Sequence, residues 1–99
     1  MDEPVSSFIW DLDKELINIE KHGVDFTTAA KVFKDPKIRI MIDSKHSEGE
    51  PRYFGFGKVE QKVLTVRFLY RGEKIRIIGA GYWRKGAQLY DQDKKEESS

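Results

Sequence analysis

The chain has 99 residues, of which 38% are hydrophobic and 35% charged, and it contains no cysteine. This length suits one domain, so we expect a single domain over residues 1–90 and a frayed, charged tail over residues 91–99. Without cysteine there is no disulfide framework, thiolate zinc site or cysteine nucleophile. The two histidines, His22 and His46, have a spacing that matches no metal site, so we expect neither a metal nor another cofactor.

Membrane insertion and secretion are not expected. No apolar run approaches the roughly 20 residues that a membrane-spanning helix needs. The first ten residues lack the basic and then apolar layout of a secretory signal. The sequence therefore predicts a cytoplasmic protein with no membrane partner.

The net charge of +1 conceals an uneven distribution of charge along the chain. Residues 44–85 hold ten lysines and arginines against four acidic residues, whereas the rest of the chain holds eight against thirteen. Such asymmetry indicates an anionic partner for the basic part, with nucleic acid as the leading candidate. The alternative is a solvated sheet face whose lysines only keep an edge soluble.

Two helices are predicted in the N-terminal third. Each follows an aspartate that can cap its first turn, and each stops at a residue that disfavours helix. The predicted helices run to about Lys21, between Asp11 or Asp13 and Gly23, and from Phe26 to about Lys34, between Asp25 and Pro36.

From residue 38 the hydrophobic pattern changes to a period of two, which is typical of strands. Four strands are predicted, over residues 38–43, 52–56, 63–70 and 74–80, and Gly57 to Lys62 are expected to form a hairpin connection. Ile38, Ile40 and Ile42 are expected on the buried face of the first strand. The predicted fold is α+β, with two N-terminal helices packed on a four-stranded antiparallel sheet and a short C-terminal helix.

Cations and aromatic residues alternate along these strands and the segment after them. A single-stranded RNA site requires both, because guanidinium groups pair with phosphates and aromatic rings stack on unpaired bases. The residues assigned to RNA binding are Arg67, Lys74, Tyr82, Trp83 and Lys85. Aromatic residues at alternate strand positions are also typical of a core, and Phe54, Phe68 and Tyr70 are expected to be buried.

The histidines allow different interpretations. His22 follows the first helix and is either a general acid or base, or a capping residue that interacts with the helix dipole. His46 lies in a charged loop and is expected to be solvated. Glu50 and Arg52, two positions apart on one strand face, either pair with each other or serve the site.

Several segments together resemble the BrnT-type toxins of bacterial toxin-antitoxin pairs. They are Phe8-Ile9-Trp10-Asp11, Lys21-His22-Gly23-Val24, Val32-Phe33-Lys34-Asp35, Gly49-Glu50-Pro51-Arg52, Leu64-Thr65-Val66-Arg67-Phe68, Arg76-Ile77-Ile78 and Tyr90. The resemblance covers about residues 8–90. It implies a RelE-like fold and cleavage of RNA, free or on the ribosome, that inhibits translation. It also implies a ribbon-helix-helix antitoxin, through which alone the toxin contacts operator DNA.

The chemistry implied by this resemblance is metal-independent cleavage with the 2′-hydroxyl as nucleophile. A base removes its proton, cations stabilise the extra charge on phosphorus, and an acid protonates the leaving 5′-oxygen. Charge stabilisation is assigned to Arg52, Arg71, Arg76 and Arg84. Proton transfer is assigned to His22, Glu50 or Tyr90.

The chain departs from the family after its last predicted strand. Gly79-Ala80-Gly81 stands where many family members read Ser-Ala-Arg. Either Arg84 replaces the lost charge, or the toxin is weakened or redirected. Two further alternatives are a non-catalytic module that binds the antitoxin or RNA, and an RNA-binding domain unrelated to toxins.

Overall fold

Five strands form one mixed sheet in the order β1-β5-β4-β3-β2 in the computed structural model, which describes the backbone of residues 7–98 and the side chains of residues 7–92. The strands are β1 (Phe8–Ile9), β2 (Arg39–Ile42), β3 (Tyr53–Val59), β4 (Lys62–Arg71) and β5 (Lys74–Gly81). Strands β2 to β5 are antiparallel, which confirms the predicted sheet, and β1 adds a parallel edge to β5. The sequence did not predict β1 because two residues are too few to show a period-two pattern.

The two N-terminal helices begin where the sequence predicts, whereas the C-terminal helix begins at Arg84, before the predicted stretch. The helical elements are α1 (Leu12–His22), α2 (Phe26–Ala30) with a 3-10 continuation η1 (Lys31–Lys34), a 3-10 turn η2 (Ser44–His46) and α3 (Arg84–Ser98). Asp11 and Asp25 cap α1 and α2 by accepting hydrogen bonds from backbone N–H groups of the first turn. Gly23 ends α1 in the left-handed conformation at φ 71°. Helix α3 is longer than the predicted short helix and continues into the segment predicted as a tail.

The main core lies between the α2 layer and one face of the sheet. Its fully buried side chains are Phe26, Ala29, Val32, Leu64, Val66, Phe68, Ile77 and Ala80. Helix α3 packs on the opposite face, over β3 and β4. The sheet is therefore covered on both faces, but only in part on the α3 side.

Helix α1 is attached to the outer edge of β5 by Asn18, whose side chain is buried. The Asn18 amide nitrogen donates to the carbonyl oxygens of Ala80 and Val24, each at 2.9 Å. Its Oδ1 accepts from the Ala80 N–H at 3.1 Å. One amide side chain thus satisfies both backbone groups of Ala80, as a neighbouring strand would, beyond the end of β1.

The prediction of a well-buried face on β2 was wrong. Ile40 and Ile42 are 44% and 56% exposed, because β2 is the outermost strand and the α2 layer packs on β3, β4 and β5. Tyr70 was also expected inside, but it is half-exposed on β4 beyond the buried Phe68. These three side chains are exposed because they lie at the margin of the helical layer. The sequence pattern does not show where that margin is.

The β3–β4 hairpin is tighter than the predicted connection. Strand β3 continues through Gly57 to Val59, and only Glu60 and Gln61 form the turn, at φ 53° and 72°. Two consecutive positive φ values are typical of the turns that match the twist of a hairpin, and those turns usually contain glycine or asparagine. The absence of either residue at these positions concealed the turn in the sequence.

Candidate functional site

Two cavities lie side by side on the sheet face beside the start of α3, and together we call them the cleft. The larger, of about 460 Å³, is lined by Asp43, Lys45, His46, Lys85 and several apolar side chains, and is called the Asp43 cavity. The smaller, of about 310 Å³, is lined by Lys14, Lys21, His22 and Arg67 among others, and is called the His22 cavity. Trp83 lines both cavities, so they adjoin at this residue.

Asp43 is the acidic group of the cleft, and it is held rigidly at the end of β2. Only 5% of this residue is exposed. Its backbone N–H donates to the Arg52 carbonyl at 2.8 Å, and its own carbonyl accepts from the Ser47 hydroxyl at 2.6 Å. The Ser47 hydroxyl also accepts from the Arg52 N–H at 3.0 Å. These bonds fasten the η2 turn to the start of β3 and fix the position of the carboxylate.

The Asp43 carboxylate contacts one residue on each side. Its Oδ2 lies 3.1 Å from His46 Nδ1 in the η2 turn. The same oxygen lies 3.9 Å from Arg67 Nη2, which comes from β4 in the centre of the sheet. Because Arg67 also lines the His22 cavity, its side chain links the two parts of the cleft.

His22 lies on the far side of Trp83 from the Asp43 cavity. The His22 ring meets the Trp83 indole edge-on, with the ring centroids 5.1 Å apart. Lys14 and Lys21 extend from the same helix and line this cavity with it. Helix α1 therefore contributes one imidazole and two ammonium groups to the cleft, with Lys14 in its first turn and Lys21 and His22 in its last.

Gly81 explains how Trp83 reaches its position. A Cβ built on Gly81 would lie 2.6 Å from two atoms of the Trp83 indole, closer than carbon atoms approach. The indole therefore rests directly on the backbone of β5 at residue 81. By contrast, a Cβ on Gly79 would meet its nearest neighbours, Asn18 and Arg67, at ordinary distances of 3.7 and 3.8 Å. Glycine is thus required at residue 81 for the indole to pack on the strand, whereas residue 79 has space for a Cβ.

The cleft is strongly cationic and contains aromatic surface. The cations that line it are Lys14, Lys21, Lys45, Arg67 and Lys85, beside His22, His46 and the single carboxylate of Asp43. Phosphate groups favour such a surface, and the Trp83 indole at its centre offers a face for stacking a base. No group of three or more histidine, aspartate or glutamate side chains that could hold a metal ion occurs among the described residues.

Four of the residues predicted from sequence come together in this cleft. They are His22, Arg67, Trp83 and Lys85. Asp43, His46, Lys14, Lys21 and Lys45 also line it and were not assigned to a site by sequence. His46 was expected to be solvated; it is exposed, but its ring is bound to Asp43. The sequence signal for this pair is the spacing of three residues between Asp43 and His46, which one 3-10 turn brings together.

The other predicted residues lie outside the cleft's lining. Glu50 Oε2 lies 3.3 Å from Arg71 Nε, in an ion pair on the surface. The predicted partner Arg52 is exposed, and Glu50 does not pair with it in the described part of the chain. Arg76 lies opposite Ile9 where β5 meets β1, and Lys74 begins β5. Tyr82 is half-exposed with the Lys62 ammonium 5.8 Å from its ring centre. Arg84 is exposed at the first position of α3.

Tyr90 fastens α3 to the segment before β2. Its buried hydroxyl donates to Asp35 Oδ2 at 2.7 Å, and Asp35 also accepts from the backbone N–H groups of Lys58 and Lys37. Burial and the hydrogen bond to Asp35 raise the pKa of Tyr90 to about 12. Burial alone would raise the pKa of Asp35, but the three hydrogen bonds outweigh it and the pKa is lowered. Tyr90 therefore stays protonated near neutral pH.

The Tyr90–Asp35 contact predicts how stability depends on pH. The contribution of Tyr90 is fully present below pH 10.0 and is lost as pH rises toward about 12. That of Asp35 is present above pH 3.8 and is lost as pH falls further. Replacing Tyr90 by phenylalanine should cost about 1–3 kcal/mol at neutral pH, since a hydrogen bond to a carboxylate is removed.

Thermal unfolding measured from neutral pH to pH ~11.5 checks this prediction. The alkaline decline in stability should be smaller in Tyr90→Phe than in the wild type. Tyr70→Phe, which alters a half-exposed tyrosine, is the matched control and should follow the wild type. Equal alkaline losses in Tyr90→Phe and wild type would show that this contact carries no pH dependence.

A family model described as "Ribonuclease toxin, BrnT, of type II toxin-antitoxin system" matches residues 10–86. The match begins just before α1 and ends in the first turn of α3, so it includes every segment that lines the cleft except Leu89. No curated protein matches the chain. Within the described residues, no helix has the length and apolar character to cross a membrane.

Proposed function

Since this chain belongs to the BrnT family of ribonuclease toxins of type II toxin-antitoxin systems, we propose that its cleft binds and cleaves RNA without a metal ion. The observation that carries the proposal is the clustering of five cations and two imidazoles around the Trp83 indole. A ribonuclease of this kind needs phosphate contacts, a stacking surface and groups that transfer protons, and these residues supply all three.

The proposed orientation of the substrate follows from where the cations lie. Lys14 and Lys21 border one side of Trp83, while Lys45 and Lys85 border the other, so successive phosphates can pass across the indole. Arg67, between them, is suited to the scissile phosphate because its guanidinium stabilises the charge that develops there. Charge stabilisation was predicted for Arg52, Arg71, Arg76 and Arg84, which lie outside the lining of the cleft; we propose that they contact the flanking RNA instead.

The biological part of the proposal concerns partners. A toxin of this class has an antitoxin, which we propose carries a ribbon-helix-helix domain and brings the toxin to operator DNA. We further propose that cleavage occurs in the cytoplasm and inhibits translation. The RelE-like classification of the fold belongs to the same proposal and is supported by the antiparallel sheet with helices on both faces.

A cleavage assay tests the proposed activity. Purified protein is incubated with mRNA, with and without ribosomes, in the presence of a chelating agent. Discrete cuts that end in a 2′,3′-cyclic phosphate are the expected result, together with growth arrest on expression and rescue by the neighbouring antitoxin gene. The absence of cuts in both settings, combined with no growth arrest, would overturn the proposal.

One observation favours a second candidate, a module that binds RNA or antitoxin without cleaving. Trp83 occupies the space above Gly81, where the resemblance places an arginine in many relatives. If that arginine is indispensable, RNA binds and is not cut. The same assay separates the candidates, because binding without cuts supports the second.

The proposed RNA contact predicts a change in salt dependence. Replacing Lys45 and Lys85 together by glutamine should weaken RNA binding and reduce the slope of log affinity against log salt by about 1.4, since each phosphate contact to a single strand contributes about 0.7. Fluorescence anisotropy with a labelled single-stranded RNA over a range of salt concentrations measures it.

The opposite side of the sheet provides the matched control. Lys31 and Lys34 lie beside the α2 layer, on a cavity that does not share residues with the cleft. Their double replacement by glutamine removes the same charge and should leave the slope nearly unchanged. Equal changes in the two double variants would mean that RNA is bound by general charge and not by the cleft.

A further inference from the structure

The Asp43 cavity contains a carboxylate–imidazole pair that sequence analysis did not assign to any role. His46 Nδ1 lies 3.1 Å from Asp43 Oδ2 and 3.3 Å from Oδ1, so this ring nitrogen contacts both carboxylate oxygens. Asp43 is nearly buried, whereas more than half of the His46 side chain is exposed. Asp43 is therefore held in place by the protein, whereas His46 is accessible to a substrate.

This arrangement determines the tautomer of His46. A carboxylate only accepts hydrogen bonds, so the proton of the neutral ring resides on Nδ1 and points to Asp43. Nε2 is then left with its lone pair, which is the form that a general base requires. The backbone bonds of Asp43 and Ser47 hold the carboxylate in place, and Arg67 lies on its other side.

The other proton-transfer candidates do not combine a position in the cleft with a carboxylate that orients the group. Tyr90 donates its hydroxyl proton to Asp35 and lies outside the cleft's lining. Glu50 pairs with Arg71 on the surface. His22 meets the edge of Trp83, and its described contacts include no carboxylate that would orient the ring.

We propose that His46, oriented by Asp43, is the general base that activates the 2′-hydroxyl in RNA cleavage; this rests on the proposed function. His46 Nε2 takes the 2′-hydroxyl proton as the 2′-oxygen forms a bond to phosphorus. The bond between phosphorus and the 5′-oxygen then breaks, and this oxygen takes a proton from an ammonium group of the same cavity, Lys45 or Lys85. The products are a 2′,3′-cyclic phosphate and a 5′-hydroxyl end. Asp43 acts as a positioning residue.

The first test is replacement of His46 by glutamine, measured on the RNA that the wild type cuts. The rate of cleavage should fall by about 10²- to 10⁴-fold, as for loss of a general base. RNA affinity, measured with a substrate whose 2′-hydroxyl is replaced by hydrogen at the cut site, should change less than about twofold. A rate within threefold of the wild type would overturn the proposal for His46.

Chemical rescue distinguishes a base from a structural residue. In His46→Gly, added imidazole should restore part of the cleavage rate, and the restored rate should increase with pH as imidazole loses its proton. Imidazole should not accelerate the wild type. A glycine variant that folds, binds RNA and gains nothing from imidazole would contradict the assignment.

Asp43 is tested through kcat and KM. Its replacement by asparagine should lower kcat by about 10²-fold or more and change KM by less than about twofold, because the asparagine amide can donate to Nδ1 and the ring proton then resides on Nε2, where the base is needed. Lys45, Lys85 and Arg67, which lie beside the pair, are unchanged in this variant. An unchanged kcat would overturn the role of Asp43, and a wild type that cuts no RNA would overturn the proposed function together with the base.

Discussion

Asn18→Asp is expected to lower the free energy of unfolding by about 2–5 kcal/mol, because the buried carbonyls of Ala80 and Val24 lose their donor. Aspartate retains the shape of asparagine and still accepts from the Ala80 N–H. It places a negative charge against two carbonyl oxygens in a buried position, which is unfavourable. The loss therefore comes from chemistry and not from a change in volume.

Denaturant unfolding followed by circular dichroism measures the effect. Gln88→Glu is the matched control, since it makes the same amide-to-carboxylate change on an exposed position of α3. Its stability should stay within about 0.5 kcal/mol of the wild type, as is usual for a surface substitution. A loss of unfolding free energy below about 0.5 kcal/mol in Asn18→Asp as well would mean that the amide does not hold α1 to β5.

Loss of this bond should also affect the cleft. Asn18 lines the His22 cavity, and it fixes the end of β5 from which Gly81 and Trp83 follow. In Asn18→Asp the last turn of α1, with His22, is expected to separate from Trp83. Weaker binding of RNA at temperatures where the variant is still folded would reveal this local effect.

The second large effect is expected at Gly81. Gly81→Ala should cost about 1–3 kcal/mol, as overpacking does, because the new Cβ displaces the Trp83 indole from the strand. Gly79→Ala should cost less than Gly81→Ala, since a Cβ at residue 79 meets its neighbours at ordinary contact distances. The pair of variants distinguishes the two positions at which the resemblance places serine and arginine.

A double-mutant cycle tests the mechanism directly. If the cost of Gly81→Ala comes from contact with the indole, it should largely disappear in a Trp83→Ala background, with a coupling energy above about 1 kcal/mol. Tryptophan fluorescence in a Trp10→Phe background should also report greater exposure of Trp83 in Gly81→Ala. Additive costs in the cycle would show that the glycine is needed for another reason.

The same cycle bears on activity. Gly81→Arg in the Trp83→Ala background restores the residue that the resemblance places at this position, in a site that then has space for it. Faster RNA cleavage by this double variant than by wild type would show that Trp83 limits the enzyme. Slower cleavage would show that the indole has taken over a function in the cleft.

Local signals in the sequence predicted the secondary structure well. Asp11, Asp25 and Gly23 mark helix ends through hydrogen bonds to their own neighbours in the chain, so their effect is independent of the rest of the fold. The alternation from Val63 to Tyr70 likewise predicted β4 within one residue at each end. Burial at the sheet margin was not predictable, as Ile40 and Ile42 show, because it depends on where a separate helix stops.

The site was predictable only in part for the same reason. Arg67, Trp83 and Lys85 stood out because they lie close together in sequence or on strands with a clear pattern. Lys14 and Lys21 resembled ordinary residues of a solvated helix face, and only the docking of α1 on β5 brings them to the cleft. Asp43 ends the first predicted strand, on the face opposite the isoleucines, and the sequence pattern does not indicate that the fold buries it beside Arg67.

The attachment of the N-terminal segment to β5 has a consequence for the order of folding. Strands β3, β4 and β5 form a meander whose pairings are local, whereas the Asn18–Ala80 bonds join residues 62 positions apart. Local contacts form with a smaller loss of chain entropy, so the meander is expected to assemble first and α1 and β1 to dock on it afterwards. The His22 side of the cleft is then completed only after β5 has been synthesised. In the nascent chain, the cleft is accordingly the last part of the fold to be completed.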